Sequence, residues 1–255
     1  MRGESPKQLI VTADDVGLDR GMTAGAIEAH RNGIVTACSI VANGREFEDA
    51  VARLRDCPSL EIGVHLTLVE ERSLAAGEPM PKNWVRFLFS RRGDVEGELR
   101  FQIERVLAAG LPITHLNGHQ HLHQLPRISR MVRRLAQEYG ISYVRVVNDR
   151  GGKRRRFLMT ILNHLGDQSR QTIGVAEAGH LTAERIVELL DHVDDVTELV
   201  AHPGIHVEGY GHWKYEWDRE THALCDPVVR QSVAAKNIQL IGPSQAAAEG
   251  GGPTV

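Results

Sequence analysis

The chain has 255 residues, 42% hydrophobic and 25% charged, an ordinary balance for one globular domain long enough to bury a sizeable core. A net charge of -3 gives no reason to expect a nucleic-acid partner, and no run approaches the ~18 apolar residues of a transmembrane segment. Cys38, Cys57 and Cys225 are odd in number and far apart, which supports neither a disulfide framework nor a CxxC metal site; reduced thiols in a cytoplasmic protein are the expectation.

Met1 to Lys7 is polar and shows no signal-peptide pattern. Beyond it, short β-branched runs alternate with longer stretches of helical period, the pattern of βα units and a largely parallel sheet. Leu9-Ile10-Val11-Thr12 predicts the first strand, with Asp14 and Asp15 past its end. A helix follows from Gly21 to Arg31, closing near Asn32-Gly33, then a strand from Val35 to Val41 and a helix from Glu46 to Arg55 stopped by Pro58. The third strand, Leu60 to Leu68, carries His65. From Val69 to Gly93, with Pro79 and Pro81 inside, no regular element is expected, and loops of this kind often cover sites.

Glu96 to Ala109 predicts a helix, Ile113 to Asn117 the fourth strand, Ile128 to Tyr139 a helix and Tyr143 to Val147 the fifth strand. The basic run Gly151 to Arg156 reads as a solvated loop opening a helix from Phe157 to Leu165. Thr172 to Ala176 predicts a strand, Thr182 to His192 a helix capped by Thr182, and Glu198 to Ala201 a strand ending in His202-Pro203-Gly204. An aromatic, irregular segment runs from Ile205 to Trp217, then one helix from Arg219 to Ala235 and a last strand from Ile238 to Ile241. The sum is an α/β fold, a distorted (β/α) barrel of about seven mostly parallel strands, as one domain over residues 1–245 with a disordered tail over 246–255.

The most specific stretch is Thr114-His115-Leu116-Asn117-Gly118-His119-Gln120-His121-Leu122-His123. If extended, it turns His115, Asn117, His119, His121 and His123 to one face, a row suited to a divalent transition metal. One segment cannot close a coordination shell alone, so Asp14-Asp15 and His65 are the natural partners. In a (β/α) barrel active residues gather at the carboxyl ends of strands, where Asp14/Asp15, His65, His119 and His202 all fall. Adjacent carboxylates on extended backbone point apart, so one can bind a cation while the other takes a proton from water; His202 could donate one to a leaving amine. His115 and His123 could instead support the ligands through hydrogen bonds.

Thr12-Ala13-Asp14-Asp15-Val16-Gly17-Leu18, Asn32-Gly33-Ile34-Val35-Thr36, Gly63-Val64-His65-Leu66-Thr67-Leu68, the histidine row and His202-Pro203-Gly204 together resemble the YdjC-like carbohydrate deacetylase family, from Leu9 to about Ile241. The resemblance implies hydrolysis of the acetamide of an N-acetylated amino sugar or glycoconjugate, with release of acetate. It implies one divalent ion, zinc or magnesium with nickel or cobalt as alternatives, on Asp15, His65 and His119. By analogy with the wider polysaccharide deacetylases, Asp14 is the general base and His202 the general acid. Substrate contacts are expected from Asn117, His121, His123, Arg145, Trp213 and Trp217. Trp213, Tyr215 and Trp217 could equally form a buried patch.

Many relatives have Phe at Val16 and Asp-Ser at Asn117-Gly118, so the missing carboxylate at Asn117 bears on the tuning of His119. Two rival readings are a metal-dependent phosphohydrolase, with Arg154 to Arg156 as phosphate clamp and His121 and His123 as extra ligands, and a non-catalytic metal- or sugar-binding protein. A homodimer is compatible with the sequence.

Overall fold

A computed structural model of the chain describes residues 7–90, 93–148 and 171–249. Its spine is β1 (Lys7–Val16), buried from Gln8 onward because it is flanked along both edges. On one edge β7 (Val196–Ala201) pairs with Gln8 to Ala13. The other edge is shared: β8 (Ile238–Leu240) takes Lys7 to Leu9, and β2 (Ala37–Ile40) takes Thr12 to Val16. Beyond β2 come β3 (Glu61–Leu66), β4 (Ile113–Gly118) and β5 (Tyr143–Val144), and beyond β7 comes β6 (Gln171–Ile173). The order is β5-β4-β3-β2-β1-β7-β6, with every described pairing parallel.

The sheet is curled. In its order β5 and β7 are separated by β4, β3, β2 and β1, which laid flat at about 4.8 Å per step would be roughly 24 Å. Yet Tyr143 Oη on β5 donates to Glu198 Oε2 on β7 at 3.0 Å. The strands therefore roll into an open half-barrel whose inner faces meet, as the sequence pattern predicts.

Helices cover the outside: α1 (Arg20–Arg31), α2 (Phe47–Leu54), α3 (Trp84–Phe89), α4 (Val95–Ala108), α5 (Pro126–Glu138), α6 (Ala183–Leu189), α7 (Trp217–Cys225), α8 (Pro227–Ala235) and α9 (Pro243–Glu249). Their apolar stripes face the strands, as with Leu99, Ile103 and Val106 on α4 and Ile128, Val132 and Leu135 on α5.

Several predicted elements are corrected. The stretch from Val69 to Gly93 contains α3, started by Asn83, whose side chain accepts the Arg86 N–H. The helix predicted from Arg219 to Ala235 is two, α7 and α8, because Pro227 ends the ladder of the first and Asp226 caps the second at Val228 N–H. β5 ends at Val144 rather than Val147, and β6 ends at Ile173 ahead of the left-handed Gly174 (φ 84°). The tail expected to be disordered from Ala246 is helical through Glu249; Ala246 and Ala247 pack on Ile10, Tyr143 and Ile241. The basic run at Arg154 to Arg156 and the helix expected after it lie outside the described residues.

One contact couples this frame to the loop carrying His202. A Cβ at Gly25 of α1 would stand 2.4 Å from both the N and Cα of Gly204 and 2.7 Å from the carbonyl carbon of Pro203. Backbone cannot yield as a side-chain tip can, so Gly25→Ala is expected to destabilise the fold by about 1–3 kcal/mol. Urea denaturation measures this, and an unchanged midpoint would refute the close approach.

Candidate active site

The carboxyl ends of β1 to β4 form one row of polar side chains. On β1, Ala13 faces Cys38 and Val16 faces Ile40, so Asp14 and Asp15 together stand opposite Ser39. That is a β-bulge, and Asp15 takes the left-handed conformation (φ 66°). The pair does not simply point apart, as extended backbone would require. Asp15 Oδ1 lies 3.3 Å from His65 Nε2 and Asp14 Oδ1 lies 3.9 Å from His65 Nδ1, so the two carboxylates address opposite edges of one ring.

Asp15, His65 and His119 each bring a ligand atom within 4.8 Å of the others. Asp15 Oδ1 is also 3.1 Å from His119 Nδ1. Ligands about 2.0–2.1 Å from a tetrahedral zinc stand roughly 3.4 Å apart, so these separations suit such an ion. The tautomer of His65 fits as well. Asn117 Nδ2 donates to Asp14 Oδ1 and to Ser39 Oγ, which fixes the amide; its Oδ1, 2.7 Å from His65 Nδ1, accepts that N–H and leaves the Nε2 lone pair facing Asp15. Asn117 therefore acts on His65, not on His119 as the missing carboxylate suggested. Burial opposes ionisation of Asp15, but hydrogen bonds with His119 and His65 hold its carboxyl well below the usual range. Burial likewise opposes charge on His119, yet its hydrogen bonds with Asp15 and Glu70 push it up to about 10.

Asp14 is built into a second, fully enclosed assembly. Arg145 Nη1 and Nη2 grip its two oxygens at 2.5 and 2.9 Å, while Nε and Nη2 reach Glu198 Oε1 at 2.9 and 2.8 Å. Ser39 Oγ donates to Asp14 and Thr12 Oγ1 to Glu198, at 2.7 Å each. Burial works against the Asp14 carboxylate, but the Arg145 guanidinium keeps it ionised far below its ordinary value. Arg145, expected to touch substrate, has no exposed side-chain surface; its donors are committed to the two acids.

The histidine row does not stay extended. β4 ends at Gly118, and Gln120 (φ 50°) and His121 (φ 57°) turn the chain left-handed, so only His119 of the last three histidines joins the cluster. His115 packs on Gly63, where a Cβ would meet its ring at 2.4 Å, and burial lowers it to about 4. His123 donates from Nε2 to the Arg145 carbonyl at 3.1 Å, and burial lowers it to about 3. Burial also holds His121 well below its ordinary value.

His202 closes the far side, its Nε2 3.9 Å from Asp15 Oδ2 and its Nδ1 buried with no hydrogen-bond partner among the described residues. Burial lowers its pKa. Its backbone N–H donates to Glu220 of α7, a carboxyl that burial pushes up to about 8 despite its N–H partners. Trp213 stacks on His119 at 5.3 Å, and Tyr215 meets the His202 ring edge at 5.4 Å. Trp217 is buried with Leu18, Met22, Val41 and Tyr210, the buried-patch alternative for that residue. Ser39, Glu70, Glu198 and Glu220 were not anticipated. Glu198 alone left a signal, an acid inside β7 directly before the apolar Leu199-Val200-Ala201.

A family profile described as YdjC-like protein matches residues 8–235. The chain is 30% identical to a carbohydrate deacetylase of Geobacillus stearothermophilus, covering 92% of this chain and 96% of that one. It is 35% identical to a carbohydrate deacetylase of Brevibacillus brevis, covering 77% and 81%. Among solved structures, a protein of Enterococcus faecalis V583 described as a cellobiose-phosphate cleavage protein shares the fold, with TM-score 0.76, 23% identity and coverage of 95% and 99%. A family 4 carbohydrate esterase from Streptomyces lividans, in complex with acetate, shares it more distantly, with TM-score 0.53, 13% identity and coverage of 98% and 97%.

Removing the Arg145 cation from between its two buried acids should be severe. Arg145→Met is expected to cost about 3–5 kcal/mol in urea unfolding, because Asp14 and Glu198 are left uncompensated. A loss below about 1 kcal/mol would show that the guanidinium does not carry that load.

Proposed function

This chain belongs to the YdjC-like protein family, and on that premise we propose that it is a metal-dependent carbohydrate N-deacetylase. Its substrate is an N-acetylated amino sugar, free or within a glycoconjugate, and its products are acetate and the free amine. The observation that carries the reading is the convergence of Asp15, His65 and His119 ligand atoms within 4.8 Å, beside a second carboxylate and a further imidazole. Relatives named carbohydrate deacetylases support removal of an acetyl group from a carbohydrate.

Asp15, His65 and His119 would hold one divalent cation. Two imidazoles and one carboxylate suit zinc, cobalt or nickel better than magnesium, which prefers an all-oxygen shell. When bound, such an ion supplies Lewis acidity, acidifying water and polarising a carbonyl oxygen. Asp14 remains ionised beside Arg145 and receives the proton of the attacking water. The water oxygen bonds to the acetyl carbon, the carbon–nitrogen bond breaks, and the amine nitrogen takes its proton from His202. Its Nε2, turned toward the site 3.9 Å from Asp15 Oδ2, is the nitrogen placed for that work. Trp213, half-buried and stacked on His119, offers an aromatic face to a sugar ring.

Asp14→Asn keeps the shape of the Arg145 assembly but removes the base. Acetate release from N-acetylglucosamine conjugates is expected to fall ~10²–10⁴-fold while bound metal stays at the wild-type level. Unchanged turnover with metal still bound would overturn the assignment of Asp14. Chelation is expected to abolish acetate release, with zinc, cobalt or nickel restoring it; full activity after complete metal removal would overturn the metal reading.

A further inference from the structure

His119 is contacted on both ring nitrogens. Nδ1 lies 3.1 Å from Asp15 Oδ1, inside the three-residue cluster, and Nε2 lies 3.4 Å from Glu70 Oε2 on the opposite edge of the ring. Glu70 itself is not a member of that cluster. It follows Val69 directly after β3, where the sequence pattern weakens, and nothing in its spacing from the histidines marks it.

Glu70 is held with unusual thoroughness for a loop residue. Its backbone N–H donates to the Pro81 carbonyl at 2.8 Å, and its Oε1 accepts from Gln120 Nε2 at 2.8 Å. Gln120 Oε1 in turn accepts the Trp84 N–H at 3.2 Å, tying the chain to the first turn of α3. Both Glu70 (φ 71°) and Gln120 (φ 50°) occupy the left-handed region, which costs a residue with a side chain free energy and persists only where surroundings enforce it. Those surroundings converge on one ring: Glu70 at the edge of His119, Trp213 stacked on its face at 5.3 Å, and Asp15 at Nδ1.

We propose that Glu70 is the positioning residue of His119: its carboxylate, facing Nε2 at 3.4 Å, holds the proton on that nitrogen and so leaves Nδ1 as the one that would bind a cation beside Asp15 and His65. The inference rests on the metal reading above and deepens it. The two imidazoles are then oriented by different chemistry, His65 by the neutral amide of Asn117 and His119 by the charged carboxylate of Glu70. A carboxylate at the remote nitrogen makes the coordinating nitrogen the more basic donor.

The test uses the full chain with cobalt(II) alone as probe, its affinity read by visible absorption in competition with a chelator. The nitrogen of His119 that keeps its proton is read separately, from ring ¹⁵N shifts of the zinc-loaded chain. Glu70→Ala is expected to weaken cobalt binding by about 10–100-fold and to mix the His119 tautomers. Glu70→Gln combined with Gln120→Glu keeps an acceptor oxygen for the His119 Nε2–H while the new amide N–H group meets the carboxylate at position 120, so the pair should retain that proton and recover most of the affinity. Equal cobalt affinity in wild type and Glu70→Ala would overturn the assignment. So would the pair Glu70→Gln and Gln120→Glu losing cobalt as fully as Glu70→Ala, since Glu70 would then be a ligand itself. A wild-type chain that takes up no cobalt would instead overturn the metal reading on which the assignment rests.

Discussion

The guanidinium of Arg145 lies between Asp14 and Glu198 with no exposed side-chain surface, and the curl of the sheet and the state of the site both depend on that bridge. Buried charges lose several kcal/mol of hydration each, and attraction between them offsets the loss only when the remaining lone pairs are satisfied. Here they are: Ser39, Asn117, Thr12 and Tyr143 each donate to one of the two acids. The donors come from β1, β2, β4 and β5, so strands distant in sheet order are fastened to one another across the interior. The same bridge keeps Asp14 ionised and points its carboxylate along His65.

Sequence reasoning went furthest where local pattern and chemistry coincided. Asp14, Asp15, His65 and His202 sit at the ends of strands whose apolar runs are unmistakable, and His119 comes directly after another. The extended histidine row failed because the pattern carries no record of the left-handed turn at Gln120 and His121. That turn is held by Glu70 and Trp84, contacts distant in sequence that no local propensity reports. Arg145 is expected from the sequence as a substrate contact, and its true partners, Asp14 and Glu198, follow only from bringing β5 and β7 face to face. The break at Pro227 was legible in principle, since proline cannot continue a helical ladder, and the helical period on both sides masked it.

The histidines of the row divide their work according to what each ring touches. His119 faces Asp15, His115 fills the space left by Gly63, and His123 holds the carbonyl of Arg145. Four imidazoles in ten residues therefore do not amount to four ligands. Burial keeps His115, His121 and His123 uncharged, so they add no repulsion beside a cation-binding cluster, whereas His119 is coupled to two carboxylates.

The bulge in β1 makes chain length a constraint of its own. Ladder registration on either side of Asp14 and Asp15 is fixed by β7 before it and by β2 after it, and the unmatched position is what lets neighbouring side chains serve the same imidazole. A point mutation there would delete one chemical group and leave the frame standing. An in-frame deletion of a single codon would instead close the bulge: Ala13 and Val16, which pack in the same core cluster, would keep their layer, but one residue in place of two would stand opposite Ser39 and one of the two carboxylates at His65 would be lost. Over evolutionary time this segment can trade residues more readily than it can gain or lose one.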